Sequence, residues 1–121
     1  MAISISETKI NEIKIIEPKV FGDARGFFME SWNKKDFAQV ANITFIQDNQ
    51  SRSKKGVVRG LHFQLPPHAQ AKLVRCVVGS IFDVAVDIRR SSPTFGQWVG
   101  VARKIKNNCG YPRDLPMVLW L

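Results

Sequence analysis

The sequence predicts an all-β fold, a sandwich or a barrel, with one short helix. Short runs rich in β-branched and aromatic residues recur along the chain, and glycine, proline, asparagine and aspartate separate them. A length of 121 residues suits one domain with a single hydrophobic core. The hydrophobic content of 45% is that of a globular protein, so a packed β domain is the expected architecture.

Seven runs along the chain have the composition of β-strands. They are residues 12–17, 27–32, 43–49, 57–64, 72–78, 81–88 and 97–101. Between the second and third runs, Asn33 can cap a helix over residues 34–40, because its side chain can accept a hydrogen bond from the first turn. Phe37 and Val40 then lie on the inner face of that helix.

A hairpin about Gly79 and Ser80 is the clearest local prediction, because glycine at the first loop position suits a type II′ turn. Counting outward from the turn pairs Lys72 with Asp87. Strand alternation then predicts a mostly apolar core face. Its members are Leu73, Arg75, Val77, Phe82, Val84 and Val86. The opposite face carries Lys72, Asp83 and Asp87 among small residues, and it is either the lining of a polar cavity or a solvated outer surface.

The formal net charge of +8 indicates an anionic partner, either nucleic acid or a phosphorylated small molecule. The basic residues are scattered, and no helix-turn-helix, zinc-finger or aromatic RNA-binding signature accompanies them. We therefore expect no nucleic-acid partner.

Cysteine content and apolar run lengths bear on the cellular compartment. Cys76 and Cys109 are too few for a disulfide framework, and Cys76 lies in the apolar run LVRCVVG, so buried or reduced thiols are expected. No apolar run approaches the roughly 20 residues of a membrane span. The start MAISISETKI has polar residues where a signal peptide needs an apolar core, and the sequence thus predicts a cytoplasmic protein without a membrane partner.

His62, within RGLHFQ, has three possible roles: a catalytic base, a metal ligand or an ordinary strand residue. A metal-binding β-barrel would usually place a second histidine two residues later, where this chain has Gln64. The other histidine, His68, lies in a proline-rich loop, so we expect no metal site. Arg59 and the polar cluster QDNQSRS at residues 47–53 make a purely structural role less favoured.

Four blocks of the sequence resemble a known family in order and spacing. The blocks are KVFGDARGFFMES, FIQDNQSRSKKGVVRGLHFQ, AKLVRCVVGSIFDVAVDIR and SPTFGQWVGV. They are similar to the dTDP-4-dehydrorhamnose 3,5-epimerases of bacterial rhamnose biosynthesis, from about Ile13 to Val101. The resemblance implies a cupin-type jelly roll, a homodimer with exchanged N-terminal strands, and neither a metal nor an organic cofactor.

The implied reaction inverts C3 and C5 of dTDP-4-dehydro-6-deoxy-D-glucose, which both lie next to the C4 ketone. A base removes either proton to give an enolate, a cation holds the oxyanion, and an acid returns the proton from the opposite face. Free imidazole has a pKa of about 6.5 and is largely neutral at pH 7, as a base must be. By resemblance, His62 is the proton acceptor and Lys72 stabilises the enolate.

The resemblance also implies a set of residues that contact the nucleotide-sugar. They are Arg25, Glu30, Gln47, Asp48, Asn49 and Arg59. Arginines suit a diphosphate because their planar fork can bind two oxygens together. Alternative interpretations remain for some of them: Glu30 and Asn49 as ordinary strand residues, and Arg25 as a turn residue of GDARG. The phenylalanines at positions 21, 27 and 28 are expected in the core and are not assigned to the site.

The resemblance ends after residue 101, which divides the chain into residues 1–101, the N-terminal part of one jelly-roll domain, and a non-family tail, 102–121. The family continues with a strand of the form QLWIPxGFAHGF, whereas this chain reads ARKIKNNCGYPRDLPMVLWL. Codons can be chosen for residues 107–118 such that the same DNA, read in the frame that begins at the third base of each codon, encodes QLWIPAGFAHG. The leucine and the final glycine of this peptide follow whichever codons are chosen. The sequence thus predicts a frame change near codons 101–102 and an early stop.

Such a chain would lack the histidine of GFAHGF, the tyrosine that acts as general acid in the family, and the carboxylate that orients the base. We expect an incomplete jelly roll with an uncovered face around Phe82, poor solubility and no detectable turnover. Alternatives are a catalytically dead β-domain that binds nucleotide-sugar or dimerises, an epimerase acting at a single centre, and a nucleic-acid binder driven by charge.

Overall fold

A computed structural model describes residues 3–40, 43–65, 67–104 and 117–120 of the chain. Its regular structure in these ranges is nearly all strand, which confirms the predicted all-β class with one short helix. The elements in chain order are β1 (Ile3–Glu7), β2 (Ile13–Pro18), β3 (Val20–Asp23), β4 (Gly26–Met29), α1 (Lys34–Phe37), β5 (Lys72–Val74), β6 (Ser80–Val86), β7 (Trp98–Lys104) and β8 (Met117–Trp120). With α1 only four residues long, no helix in these ranges could cross a bilayer.

The described strands form one four-stranded sheet and two separate two-stranded ladders. The larger sheet has the order β1-β2-β8-β5, and all of its pairs are antiparallel. Strands β3 and β4 form a tight hairpin, and β6 pairs with β7 over its whole length, from Ser80 opposite Lys104 to Val86 opposite Trp98.

Apolar residues of β2 divide the core into two clusters. Ile13 packs with Ile10 and Ala85, and the half-buried Val99 and Val101 of β7 complete this cluster. The second cluster centres on Ile16 and Phe37, and its half-buried members are Ile3, Met29, Trp32, Val40, Phe45 and Leu73. Fully burying an isoleucine contributes about 1.5–3 kcal/mol. Ile13 and Ile16 therefore fix the N-terminal hairpin, formed by β1 and β2, against ladder β6–β7 and helix α1 respectively.

The predicted cap of the helix is confirmed. Asn33 has an extended backbone, and its Oδ1 accepts a hydrogen bond of 2.7 Å from the backbone N–H of Asp36. Phe37 is buried and Val40 packs against it, as predicted, although the helix ends at Phe37 and residues 38–40 form a turn.

The predicted hairpin about Gly79 is wrong in its pairing. Gly79 has a φ of +83°, a conformation that favours glycine, and it lies in a bend at residues 77–79. Strand β5 ends at Val74, however, and pairs with β8, which places Lys72 opposite Trp120 instead of Asp87. Strand β6 pairs with β7 because Ala85, Val99 and Val101 bury one common face against the N-terminal cluster.

The two faces of β6 differ in how they are covered. Ala85 and Asp87 are both buried, so their face is not the solvated outer surface that was one of its two expected roles. Phe82 on the other face is 63% exposed, as expected for an incomplete jelly roll, and Val84 and Val86 are half-buried. The N-terminal isoleucines cover one face of the ladder, which a prediction from alternation could not foresee.

Two predicted strands, at residues 43–49 and 57–64, do not form. The described residues offer them no partner strand, and an extended segment becomes a strand only when its backbone groups are paired. Strands β1 and β3 were not predicted. Nor was β8, which lies in the tail after residue 101 and pairs with strands on both sides.

Cys76 is buried with a free thiol, as expected for a small apolar residue, and its Sγ lies 3.3 Å from the carbonyl oxygen of Val78. Cys109, the second predicted thiol, lies outside the described residues.

Candidate functional site

Arg25 lies in the two-residue turn of hairpin β3–β4, where Asp23 stands opposite Gly26. The Asp23 carboxylate accepts a 2.8 Å hydrogen bond from the Arg25 backbone N–H and a 2.6 Å hydrogen bond from its guanidinium. This pairing raises the pKa of Arg25 and lowers the pKa of Asp23. The arginine is therefore a turn residue, and its side chain is 91% exposed while it forms an ion pair with Asp23.

The same hairpin forms an open concavity of about 470 Å³. It is lined by Phe21, Gly22, Asp23, Arg25, Gly26, Phe27 and Phe28. The core role expected for its three phenylalanines is wrong, since 43%, 51% and 59% of them respectively remain exposed. Phe27 and Phe28 are consecutive in β4, and alternation sends them to opposite faces. That signal could have indicated that at least one phenylalanine was available to a ligand. The concavity thus combines aromatic rings with a guanidinium.

Glu30 follows β4 directly and is half-buried. Its carboxylate accepts a hydrogen bond from the side-chain amide of Asn33, which also donates to Asp36 at 2.8 Å. Glu30 therefore supports the helix cap in this structure, which agrees with its alternative interpretation as a structural residue.

Five candidates lie in the segment of residues 43–71, which links α1 to β5 without a described helix or strand. Gln47, Asp48 and Asn49 are exposed, and the Gln47 amide donates a long hydrogen bond of 3.4 Å to Asn49. Arg59 donates to the Ser53 hydroxyl at 2.7 Å and to the Arg52 carbonyl at 3.4 Å. Arg59 is thereby held across a loop that also carries Lys54 and Lys55, a basic surface suited to an anion.

His62 and Lys72, the two expected catalytic residues, are both exposed. His62 lies in the same segment, and Lys72 is the first residue of β5. Within the described ranges, Gln47–Asn49 is the one hydrogen bond between two candidates, and none joins His62 to Lys72. The sheet position of Lys72 is fixed by backbone pairing, whereas His62 belongs to a segment without such pairing.

A second polar cluster surrounds Asp87, just after β6. Its carboxylate accepts hydrogen bonds from the Arg89 guanidinium at 2.9 Å and from the hydroxyls of Ser92 and Thr94 at 2.5 Å each. These donors, the Arg89 guanidinium first, hold the pKa of Asp87 far below its usual range. Arg89 also forms an ion pair with Glu12 at 2.8 Å, so the cluster joins the loop after β6 to the turn before β2.

The described residues contain no group of three or more histidine, cysteine, aspartate or glutamate side chains arranged to hold a metal ion. The candidates offer an imidazole that can act as a base and an ammonium group that can hold a negative charge. Their arginines and amides can bind the phosphate and hydroxyl groups of a phosphorylated, sugar-like ligand.

The chain is similar to proteins of known name. The profile of the dTDP-4-dehydrorhamnose 3,5-epimerase family matches residues 7–109, a range that contains every candidate named above. An enzyme of that name from Shigella flexneri is 61% identical over 107 residues, which are 87% of this chain and 59% of the relative. The chain thus spans less than two thirds of the length of this curated relative.

Solved structures agree with the sequence comparison. The epimerase from Sulfolobus tokodaii is 40% identical, with a TM-score of 0.85 over 100% of this chain and 64% of that one. A Legionella pneumophila relative, solved in complex with dTDP-4-keto-L-rhamnose, is 48% identical, with a TM-score of 0.79 over 98% of this chain and 65% of that one. The expected fold is confirmed as that of the cupin-type jelly-roll epimerases. On sequence and structure together, the chain belongs to the dTDP-4-dehydrorhamnose 3,5-epimerase family.

Proposed function

We propose that this chain acts as an isomerase of dTDP-L-rhamnose biosynthesis. The reaction converts dTDP-4-dehydro-6-deoxy-D-glucose to dTDP-4-dehydro-L-rhamnose by inverting C3 and C5. The 61% identity to the Shigella enzyme over 107 residues carries the proposal. The ligand of the Legionella relative, dTDP-4-keto-L-rhamnose, supports a deoxythymidine-diphosphate sugar as the substrate class.

His62 is the proposed base, and its exposure makes the ring accessible to a sugar. It takes the proton from C5 or C3, and the electron pair left on carbon moves to the C4 oxygen as an enolate. The Lys72 ammonium stabilises that negative charge. Inversion is complete when a general acid on the opposite face of the ring returns a proton to the same carbon. In the family that acid is a tyrosine beyond the blocks that this chain shares, so the residues assigned here account for enolate formation alone.

Arg25 and Arg59 are the proposed diphosphate ligands. Both guanidinium groups are exposed. Arg59 is held by the neutral Ser53 hydroxyl, whereas Arg25 forms an ion pair with Asp23, whose carboxylate a diphosphate has to displace. A guanidinium held by a hydroxyl loses less conformational entropy when it binds phosphate oxygens. The proposed contacts to the rest of the nucleotide-sugar are Glu30, Gln47, Asp48 and Asn49.

Solvent-deuterium uptake at C3 and C5 of the substrate, followed by NMR, tests the proposed reaction. Labelling of both carbons by the unaltered protein would support the proposed reaction and overturn the loss of turnover expected from the frame change. His62→Asn should then label neither carbon. His68→Asn is the matched control, because this second exposed histidine has no assigned role and its loss should change nothing. Equal labelling by His62→Asn and the unaltered protein would remove His62 from the mechanism.

A nucleotide-sugar-binding domain without turnover is the second candidate function. It is favoured by the concavity of hairpin β3–β4, which offers Arg25 and three phenylalanines without needing His62 or Lys72. Calorimetric titration with dTDP separates the two functions. Saturable binding without deuterium uptake supports the binding domain, and uptake at one carbon alone indicates an epimerase of a single centre.

A homodimer with exchanged N-terminal strands is the proposed assembly. Within the described residues β1 is an edge strand, paired with β2 on one side, so its other edge can accept a second chain. Light scattering on the purified protein decides between monomer and dimer. The cytoplasmic location and the lack of a cofactor stay predictions.

The division of the chain at residue 101 also stays a proposal, together with the frame change after it. Resequencing the gene from codon 95 through codon 121 tests both. A restored frame that encodes GFAHGF would replace the tail by the family sequence, and an unchanged sequence would leave the tail as part of the protein.

A further inference from the structure

Strand β8 lies in the middle of the larger sheet although it belongs to the tail. Its residues pair with β2, from Ile16 opposite Met117 to Ile13 opposite Trp120. The same residues pair with β5, where Lys72 stands opposite Trp120. In the described part of the sheet, β8 is the link between β5 and the N-terminal hairpin.

The comparisons point independently to this segment. The family profile ends at residue 109, so residues 117–120 lie outside the matched sequence. The superpositions on solved relatives nevertheless cover 98% and 100% of this chain. The structural match therefore extends beyond the end of the profile match.

Strand pairing gives a physical reason for this. The bonds of an antiparallel ladder join backbone groups, which every residue except proline carries in full. A segment that reads MVLW also has the apolar and β-branched character that strands favour. An unrelated sequence can thus fill a strand position when its backbone reaches the two neighbours.

We propose that Met117–Trp120 is a positioning strand for Lys72. It fixes β5 to β2 and thereby holds the Lys72 ammonium at the site where the enolate forms. The catalytic part of this inference rests on the proposed function, whereas the strand pairing does not.

Amide hydrogen exchange on the unaltered protein tests the pairing directly. Residues 72–74 and 117–120 should exchange more slowly than residues 57–65, which have no strand partner in the structure. Equal exchange in the three segments would overturn the proposal, and this measurement needs no variant to fold.

Two proline variants test the positioning role. In a central antiparallel strand, consecutive residues direct their backbone groups to opposite neighbours, so Val118→Pro and Leu119→Pro each remove a donor on a different side. The variant that unpairs β5 should slow deuterium uptake about 100-fold, the usual cost of misplacing a reacting group by about 1 Å. Its dissociation constant for dTDP should stay within about twofold, because no proposed dTDP contact lies on β5.

Ser4→Pro is the control for a proline elsewhere in this sheet, since it alters the edge strand β1, which pairs with β2 but not with β5. It should leave both the uptake rate and the dTDP affinity unchanged. Unchanged uptake in Val118→Pro and Leu119→Pro would overturn the positioning role, and so would a parallel loss of dTDP binding. Absence of turnover in the unaltered protein would overturn the proposed function instead. Amide exchange would then be the test of the pairing of β8 with β2 and β5.

Discussion

Two irregular stretches of this chain, residues 87–97 and residues 43–71, differ in how their polar groups are satisfied. In the first, Asp87 is 6% exposed and bonds to Arg89, Ser92 and Thr94, and its backbone pairs with Gly96 and Gln97. In the second, the polar side chains from Gln47 to Gln64 are exposed, with few hydrogen bonds between them. Residues 87–97 satisfy their polar groups with hydrogen bonds to one another, whereas the polar side chains of residues 47–64 are exposed to solvent.

The difference agrees with the proposal that residues 43–71 contact the ligand, whereas residues 87–97 stabilise the fold. A buried carboxylate must be paired, and the local donors around Asp87 stiffen the loop between β6 and β7. Exposed amides, arginines and an imidazole cost nothing to leave in water, and they gain partners when a ligand arrives. Most of the candidate substrate residues lie in this second stretch, as function carried on connecting segments would place them.

Removing the Asp87 carboxylate should have the largest effect on stability. Asp87→Ala leaves the Arg89 guanidinium and two hydroxyls without their acceptor, and broken buried networks are among the most destabilising changes known. Asp48→Ala is the matched control, because Asp48 is exposed. This substitution should change the free energy of unfolding by no more than about 0.5 kcal/mol. Thermal unfolding of both variants compares their stabilities. Equal melting temperatures would contradict a structural role for the Asp87 network.

A saturating ligand should act on the other stretch. At about 100 times its dissociation constant, dTDP should raise the free energy of unfolding by about 2.7 kcal/mol through mass action. Amide exchange in residues 43–65 should slow, because Gln47, Asn49 and Arg59 gain partners, while residues 87–97 should exchange as before. Protection confined to residues 87–97 would contradict the assignment of the binding surface.

Acid should weaken the protein through Asp87. An unfolded aspartate has a pKa of about 3.9, and its donors hold the folded pKa well below that. The folded state therefore binds this proton less readily, so the stabilisation is complete above about pH 4 and is lost as the pH falls further. Denaturant unfolding at pH 6, 4 and 3 should show the loss. Asp87→Asn should show a smaller loss, and an identical decline in that variant would exclude Asp87 as the cause.

The smallest effect is expected at Ile46, which is 95% exposed in the open stretch. Ile46→Ala should change the free energy of unfolding by less than about 0.5 kcal/mol. The same substitution at Ile16, which is 0% exposed, should cost about 2–5 kcal/mol, because it removes buried methyl groups and leaves a cavity. Denaturant unfolding compares the pair, and a large loss in Ile46→Ala would show that this stretch is packed in solution.

Local features of the fold were predictable where neighbours in sequence create them. The Asn33 cap, the buried Phe37 and the glycine bend at Gly79 depend on hydrogen bonds or dihedral angles within a few residues. The pairing of β6 with β7 was not predictable from the bend, because Ile10 and Ile13 decide it from a distant part of the chain.

The candidate site was predictable as a list of residues but not as a surface. His62, Lys72 and the arginines followed from a resemblance of sequence blocks. The exposed phenylalanines beside Arg25 did not, because an aromatic residue in a strand is equally consistent with a core position until the sheet that covers it is known.

The sequence by itself determined the all-β class, the helix cap, the family and the residues to examine, because these depend on local chemistry and on residue order. Only the tertiary structure decided that Asp87 is buried in a network, that Phe28 faces outward, and that β8 joins β5 to the hairpin. The physical reason is that a strand's partner and its covered face depend on backbone and apolar groups far away in sequence. No local pattern records which of several suitable partners will meet.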